Sequence, residues 1–195
     1  MYDWLVLYNI ITNKNAILSN LLMKVISSGY KIDHFNINTM STIDNLLLFL
    51  HSWLRWIILI LLLVGIFNSL SKMQQPLSSV AKKMNLWLMI AAHITLIIGL
   101  YQYFFGPKGF IFFKTEGVAS VMKNPALRFW AVEHITGMII AIILITITRG
   151  IAKKSTEPAK KNKKLLLFYI LALVIILASI PWPGRFGDVP LFRGV

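Results

Sequence analysis

Five ionisable side chains lie inside apolar segments of this sequence. His51 and Arg55 share one apolar run, His93 lies in a second, and Glu133 and His134 are adjacent in a third. Placing such groups in a bilayer costs about 3 kcal/mol each by insertion measurements, and they mark candidate functional sites. Every histidine after residue 40 lies in such a run, so the chemistry to consider is that of imidazole.

Three chemistries fit this set of residues. Two imidazoles from different helices can hold the iron of a b-type haem from opposite faces, inside an apolar sleeve of helices. A site of histidine alone, or of histidine with glutamate, can hold copper, zinc or iron. Alternatively, the histidine, arginine and glutamate side chains pair with one another to fix packing, with Arg55–Glu133 as the expected buried ion pair.

The depths of the histidines favour one pair. His51 and His134 each lie five residues into their runs from the same predicted side, or about 8 Å at 1.5 Å per residue. His93 lies twelve residues from Phe105, or about 18 Å deep on the same scale. His51 and His134 are therefore the preferred axial pair, and His93 can replace either. All three are also candidate ligands for a metal ion.

Neighbouring residues suit a haem. Gly137 follows His134 by three positions, where a small residue would leave room for the macrocycle. Arg55, one turn from His51, and Arg128, at the mouth of the third run, are candidate partners for the propionates. Glu133 is a candidate neighbour of the haem because it precedes His134.

The elements that must position these residues are membrane helices. Of 195 residues, 57% are hydrophobic and 14% are charged, against about 25% charged in soluble domains. Four apolar runs cover about residues 46–67, 86–105, 129–148 and 165–180. Because a spanning helix needs about 20 residues, and neighbouring residues can extend the last run, we predict an all-α polytopic membrane four-helix bundle.

Loop charges predict the orientation of this bundle. The net charge is +13, and loops 68–85 and 149–164 hold 10 basic residues, against 6 in loop 106–128 and the C-terminal tail. The positive-inside rule then places both termini outside the bacterial cytoplasmic membrane, with His51 and His134 in its outer half. Because the basic residues lie between apolar runs, they indicate topology and contact with membrane lipid, and no nucleic-acid partner is expected.

Composition excludes several classes of site. The chain has no cysteine, which excludes disulfides, zinc–thiolate sites, iron–sulfur clusters and covalently attached c-type haem. No Walker motif, dinucleotide fingerprint, HExxH motif or nucleophile elbow is present. Three intramembrane histidines cannot supply two bis-histidine haems. The chain therefore has the features of a subunit or relay more than those of a complete enzyme.

Residues 1–39 differ from the rest of the chain. Asn, Ile, Lys and Tyr make up 18 of these 39 positions, as is typical of translated AT-rich DNA. We interpret them as a leader that arises from a mis-assigned start, with Met40 as the true start and residues 40–195 as the membrane domain. A signal peptide without the usual basic n-region and a short amphipathic leader are the alternatives.

Four stretches resemble a known group of proteins: residues 50–56 (LHSWLRW), 92–93 (AH), 128–134 (RFWAVEH) and 180–183 (IPWP). They are similar to short four-helix bacterial membrane proteins labelled cytochrome b-like, over about residues 44–192. The resemblance implies a four-helix bundle in the cytoplasmic membrane with a haem b. It also implies His51, His93 and His134 as candidate ligands, with Arg55 and Glu133 as neighbours.

The sequence thus predicts a b-type cytochrome-like membrane protein that binds one haem near the outer face and relays electrons. Its expected partners are lipid and a redox protein of the membrane, within a larger complex or a homodimer. The alternative is a non-catalytic assembly or transport subunit, in which the histidine–arginine–glutamate cluster is structural or binds a metal ion.

Overall fold

The fold was analysed in a computed structural model that describes residues 19, 20, 24 and 42–185. Four of its helices are long and apolar enough to cross a membrane: α1 (Thr42–Ser71), α2 (Ser79–Phe105), α5 (Pro125–Lys153) and α6 (Pro158–Ser179). Two short helices, α3 (Ile111–Thr115) and α4 (Val118–Lys123), lie between α2 and α5. Residues 42–185 contain no strand, and the predicted all-α membrane fold is confirmed.

The predicted leader and the proposed start at Met40 lie outside the described residues, apart from positions 19, 20 and 24. Both remain predictions.

Helices α2, α5 and α6 begin before their apolar runs, because residues at their first turns, and not hydropathy, set where they begin. The Ser78 hydroxyl accepts a hydrogen bond from the Ala81 amide, so α2 begins seven residues before its apolar run. Asn124 accepts hydrogen bonds from two amides of the first turn of α5, and Pro125 occupies its first position. Pro158 likewise occupies the first turn of α6, where a missing N–H costs nothing.

The core is built from small and branched side chains that allow the helices to approach closely. Among helices α2, α5 and α6, the contact between α5 and α6 is the most extensive, and the contact between α2 and α5 comes next. Each long helix contributes residues that are at most 1% exposed: Leu62, Leu88, Ala92, Ala141, Ile145, Leu165 and Ala172. Small residues at such positions are typical of membrane bundles, where close backbone approach drives association.

The outer surface of the bundle is apolar, as a lipid-facing surface must be. Large side chains on every long helix are more than half exposed, among them Ile60, Trp87, Ile97, Ile143 and Val174. A soluble bundle would place polar side chains on this surface. The polar groups that matter are therefore those held between the helices.

Candidate functional site

The structure brings His51 of α1 and His134 of α5 together. Their ring centroids lie 6.4 Å apart, and the ring planes are tilted by 60°. Both side chains are partly buried. This is the pair that equal depth along the two helices predicted, and we call it the histidine pair.

A π-helical turn leads into His134. Residues Phe129–Glu133 form this turn, and regular α-helix resumes at His134. The Tyr103 hydroxyl at the end of α2 donates a hydrogen bond of 3.0 Å to the carbonyl of Ala131 within the turn. Such π-helical turns occur often at functional sites because they shift the helical register by one residue. Here the turn sets the direction in which the His134 side chain leaves α5.

A backbone carbonyl fixes the orientation of the His134 ring. Its Nδ1 lies 2.7 Å from the carbonyl oxygen of Ser179, at the last residue of α6. Because a carbonyl only accepts, Nδ1 carries the hydrogen, and Nε2 of the neutral ring keeps its lone pair. This arrangement, with one ring nitrogen bonded to a carbonyl and the other able to bind, is typical of ligating histidines.

The His51 ring lies against Gly99 of α2. A Cβ atom at Gly99 would lie 3.2 Å from Cε1 of His51, so no larger residue fits there without displacement of the ring. Nδ1 of His51 is fully buried and has no hydrogen-bond partner among the described residues.

Arg55 lies one turn along α1 from His51. Its Nη2 is 3.5 Å from the Ser52 hydroxyl, and its guanidinium carbon is 5.3 Å from the centre of the Trp56 ring. The guanidinium is also close enough to interact electrostatically with both His51 and His134. A positive charge thus lies beside the histidine pair, as predicted from the spacing along α1.

His93 does not join the other two histidines. Its side chain is exposed, and its Nδ1 donates a 2.8 Å hydrogen bond to the Met89 carbonyl of its own helix. No group of three histidine, cysteine, aspartate or glutamate side chains in the described residues could hold a metal ion. In the described residues His93 is therefore separate from His51 and His134, because its side chain is exposed on α2.

Glu133 pairs with a different arginine from the one expected. Its Oε1 accepts a 2.7 Å hydrogen bond from Nε of Arg128, and Nη1 of Arg128 also donates to the Met122 carbonyl. Both charged side chains are more than a third exposed. The five-residue separation across the π-helical turn makes this local pair possible, and it replaces the buried Arg55–Glu133 pair that the sequence suggested.

Gly137 permits close contact between α5 and α6. A Cβ atom there would collide with the Ser179 side chain, and would lie 3.1 Å from its Cβ. The space beside Gly137 is therefore filled by protein, which differs from the expectation of a surface open to a macrocycle. The same close approach brings the Ser179 carbonyl to His134.

Two aromatic residues of α5, which precede His134 in the chain, lie beside its ring. The ring centres of Phe129 and Trp130 lie 5.9 and 6.1 Å from that of His134. A cation lies over each of these aromatic rings, Arg185 over Phe129 at 5.4 Å and Lys108 over Trp130 at 4.4 Å. These contacts join Lys108 of the loop and Arg185 of the chain after α6 to the aromatic rings beside His134.

The sequence did not mark Ser179 or Phe129 as site residues. No sequence signal marks a serine whose backbone carbonyl is the functional group. Phe129, adjacent to Arg128 in a predicted span, reads as ordinary lipid-facing surface, although it is only 1% exposed. Both residues gain their roles from the packing of α5 against α6.

Comparisons with protein-family models, with curated proteins and with solved structures found no match to this chain. The function must therefore be argued from the histidine pair itself, within a multi-pass bundle of four apolar helices.

Proposed function

We propose that this chain is a membrane b-type cytochrome that binds one haem through His51 and His134 and relays electrons. The observation that carries the proposal is the histidine pair, with ring centroids 6.4 Å apart on two different helices. Two imidazoles from different helices would hold the iron of such a haem within an apolar sleeve of helices.

The donor atoms of the pair also support haem. Ser179 holds His134 in the tautomer whose Nε2 keeps its lone pair, and His51 keeps a buried nitrogen without a partner in the described chain. If both imidazoles held a haem, they would leave no place for a substrate, which would suit electron transfer. A haem held in this way would supply one-electron oxidation and reduction.

The other candidate residues are assigned roles from their charges and contacts. Arg55 is the cation closest along the chain to His51, and we assign it to a haem propionate. Arg128 and Glu133 neutralise each other in their ion pair, and we assign them to closing the loop over α5. His93 is left out of the ligand set because its ring faces outward.

The second candidate is an assembly or transport subunit in which the histidine pair is structural. One observation favours it: the cavity beside Asn85 and the cavity beside Asn162 border neither His51 nor His134. Tilted rings about 4.5–7 Å apart also occur as ordinary packing contacts. In that case the pair would stabilise the contact between α1 and α5 without a cofactor.

A spectrum separates the two candidates. The full chain, expressed with ample haem supply and purified in detergent, is scanned reduced and oxidised, and haem is quantified per chain. We expect a b-type spectrum with about one haem per chain, lost in His51→Ala and in His134→Ala. His93→Ala is the matched control, because it removes a third intramembrane imidazole outside the pair, and it should keep the haem.

Folding is checked by circular dichroism and size-exclusion chromatography of each variant. A folded wild-type protein without haem would refute the proposal and support the structural candidate. Haem that persists in both single variants but is lost in His93→Ala would show that the ligand pair is wrong.

A further inference from the structure

The half of the bundle away from the histidine pair contains a second polar site, at the predicted inner end. Asn85 of α2 is 4% exposed, and its Nδ2 donates hydrogen bonds to the Thr148 hydroxyl at 2.9 Å and the Tyr169 hydroxyl at 2.7 Å. Both hydrogens of this amide are therefore used. Its Oδ1 is buried and has no partner among the described residues.

A second buried amide lies closer to the end of the bundle. Asn162 of α6 is 1% exposed, and its Nδ2 lies within 3.0 Å of three carbonyls in the loop that follows α1, those of Lys72, Met73 and Gln75. Three carbonyl acceptors fix the orientation of the amide, with the nitrogen towards them. Its Oδ1 is also buried and has no partner in the described chain.

Each orphan oxygen belongs to a residue that lines a small cavity. One cavity is bordered by Asn85, Tyr169 and Gly65, and the other by Asn162 and Gln75. Each has a volume of about 10 Å³, close to the lower limit for one water molecule. A buried acceptor without a protein partner, beside a cavity of this size, is where an ordered water is expected.

The two cavities are neighbours. Three residues border both of them: Asn68, Leu77 and Ala81. The cavity at Asn162 is also lined by exposed residues of the loop between α1 and α2, including Lys72 and Ser78. The path from the loop to the Tyr169 hydroxyl therefore has room for two waters in sequence.

We propose that two ordered waters bind in these cavities and give the buried Tyr169 hydroxyl proton exchange with bulk water at the predicted inner end. One water donates to Oδ1 of Asn162, and the other donates to Oδ1 of Asn85. The path stops at Tyr169, because Leu62, Leu88 and Ala172 pack the core with at most 1% exposure. The proposal is independent of haem binding and of the histidine pair.

The first test detects the waters in the full chain. The protein is labelled with ¹⁵N-asparagine and held in deuterated detergent micelles, and cross-relaxation from water to the side-chain amide protons is measured. We expect water signals at both Asn85 and Asn162. A missing signal at either amide would overturn the proposal, because one dry cavity interrupts the path.

The second test measures exchange at Tyr169 itself. Tyrosine labelled with ¹³C at Cζ reports hydroxyl exchange through the deuterium isotope shift between H₂O and D₂O. Ala81→Leu adds a side chain that fills both cavities, and it should slow exchange at Tyr169 at least tenfold. Val80→Leu is the matched control, because Val80 is 62% exposed on the adjacent position and borders neither cavity.

Equal exchange rates at Tyr169 in Ala81→Leu and Val80→Leu would refute the path. If Ala81→Leu does not fold, Leu77→Phe tests the same two cavities. The cross-relaxation signals of the wild-type protein decide the presence of water in either case.

Discussion

Replacement of Gly137 by alanine should separate α5 from α6 where α6 holds His134. The added Cβ would collide with the Ser179 side chain and lie 3.1 Å from Ser179 Cβ. Both residues are on regular helix, so the helices must move apart to relieve the contact. That movement lengthens the 2.7 Å hydrogen bond from His134 to the Ser179 carbonyl.

The magnitude follows from three contributions. Overpacking costs about 1–3 kcal/mol, and the loss of one buried hydrogen bond adds about 1 kcal/mol. Alanine recovers up to about 1 kcal/mol in helix propensity. The net loss in unfolding free energy is then about 1–3 kcal/mol.

The matched control is Gly150→Ala in the same helix. A Cβ atom at Gly150 has no atom within 4 Å, so the change should be neutral or stabilising by up to about 1 kcal/mol. Unfolding of both variants in mixed detergent micelles, followed by circular dichroism, measures the difference. Ser179→Ala in the Gly137→Ala background removes the hydroxyl from the contact and should recover part of the loss.

Two results would refute this reasoning. Gly137→Ala as stable as Gly150→Ala would show that the two helices are not in close contact at this point. A loss of stability that Ser179→Ala does not reduce would show that the hydroxyl is not the obstacle.

Three further predictions concern individual polar residues and their hydrogen bonds or ion pairs. Asn85→Ala should lower the free energy of unfolding by about 1–2 kcal/mol, because two interhelical hydrogen bonds of about 0.6 kcal/mol each are lost and a small void forms. The control is Asn68→Ala, which removes a hydrogen bond from the Asn68 amide to the Val64 carbonyl of the same helix. It should lower the free energy of unfolding by less in the same assay. Tyr103→Phe removes the hydrogen bond to the Ala131 carbonyl, and amide hydrogen exchange should rise in the π-helical turn but not in α6. Glu133→Gln should change the free energy of unfolding by less than about 1 kcal/mol, because exposed ion pairs contribute little. Chemical denaturation measures this change, and a larger loss would contradict the exposure of the Arg128–Glu133 pair.

The histidine pair was predictable because equal depth is a one-dimensional property. Residues 51 and 134 lie at similar distances from the same predicted face, and helical rise converts those distances to depth. Rotation about the helix axis is not fixed by depth. His93 shows this limit, because its ring faces outward from α2 while Gly99 of the same helix contacts His51.

Charge pairing was less predictable than depth. The sequence offered Arg55 as a partner for Glu133, because both lie in apolar runs. The π-helical turn at 129–133 instead brings Arg128 and Glu133 together through five residues of chain. A change of local helical register cannot be derived from hydropathy, since the composition of the turn is as apolar as the helix that follows.

The sequence by itself determined the membrane class, the four spans and the absence of thiol chemistry, because those depend on composition and on the length of apolar runs. Tertiary structure decided which imidazoles meet, which carbonyl orients His134 and where buried amides keep unpaired oxygens. Those features depend on the rotation and close approach of helices, which small residues such as Gly99 and Gly137 permit. The physical reason is that hydropathy specifies burial in the bilayer, whereas only helix–helix contacts specify which buried side chains face one another.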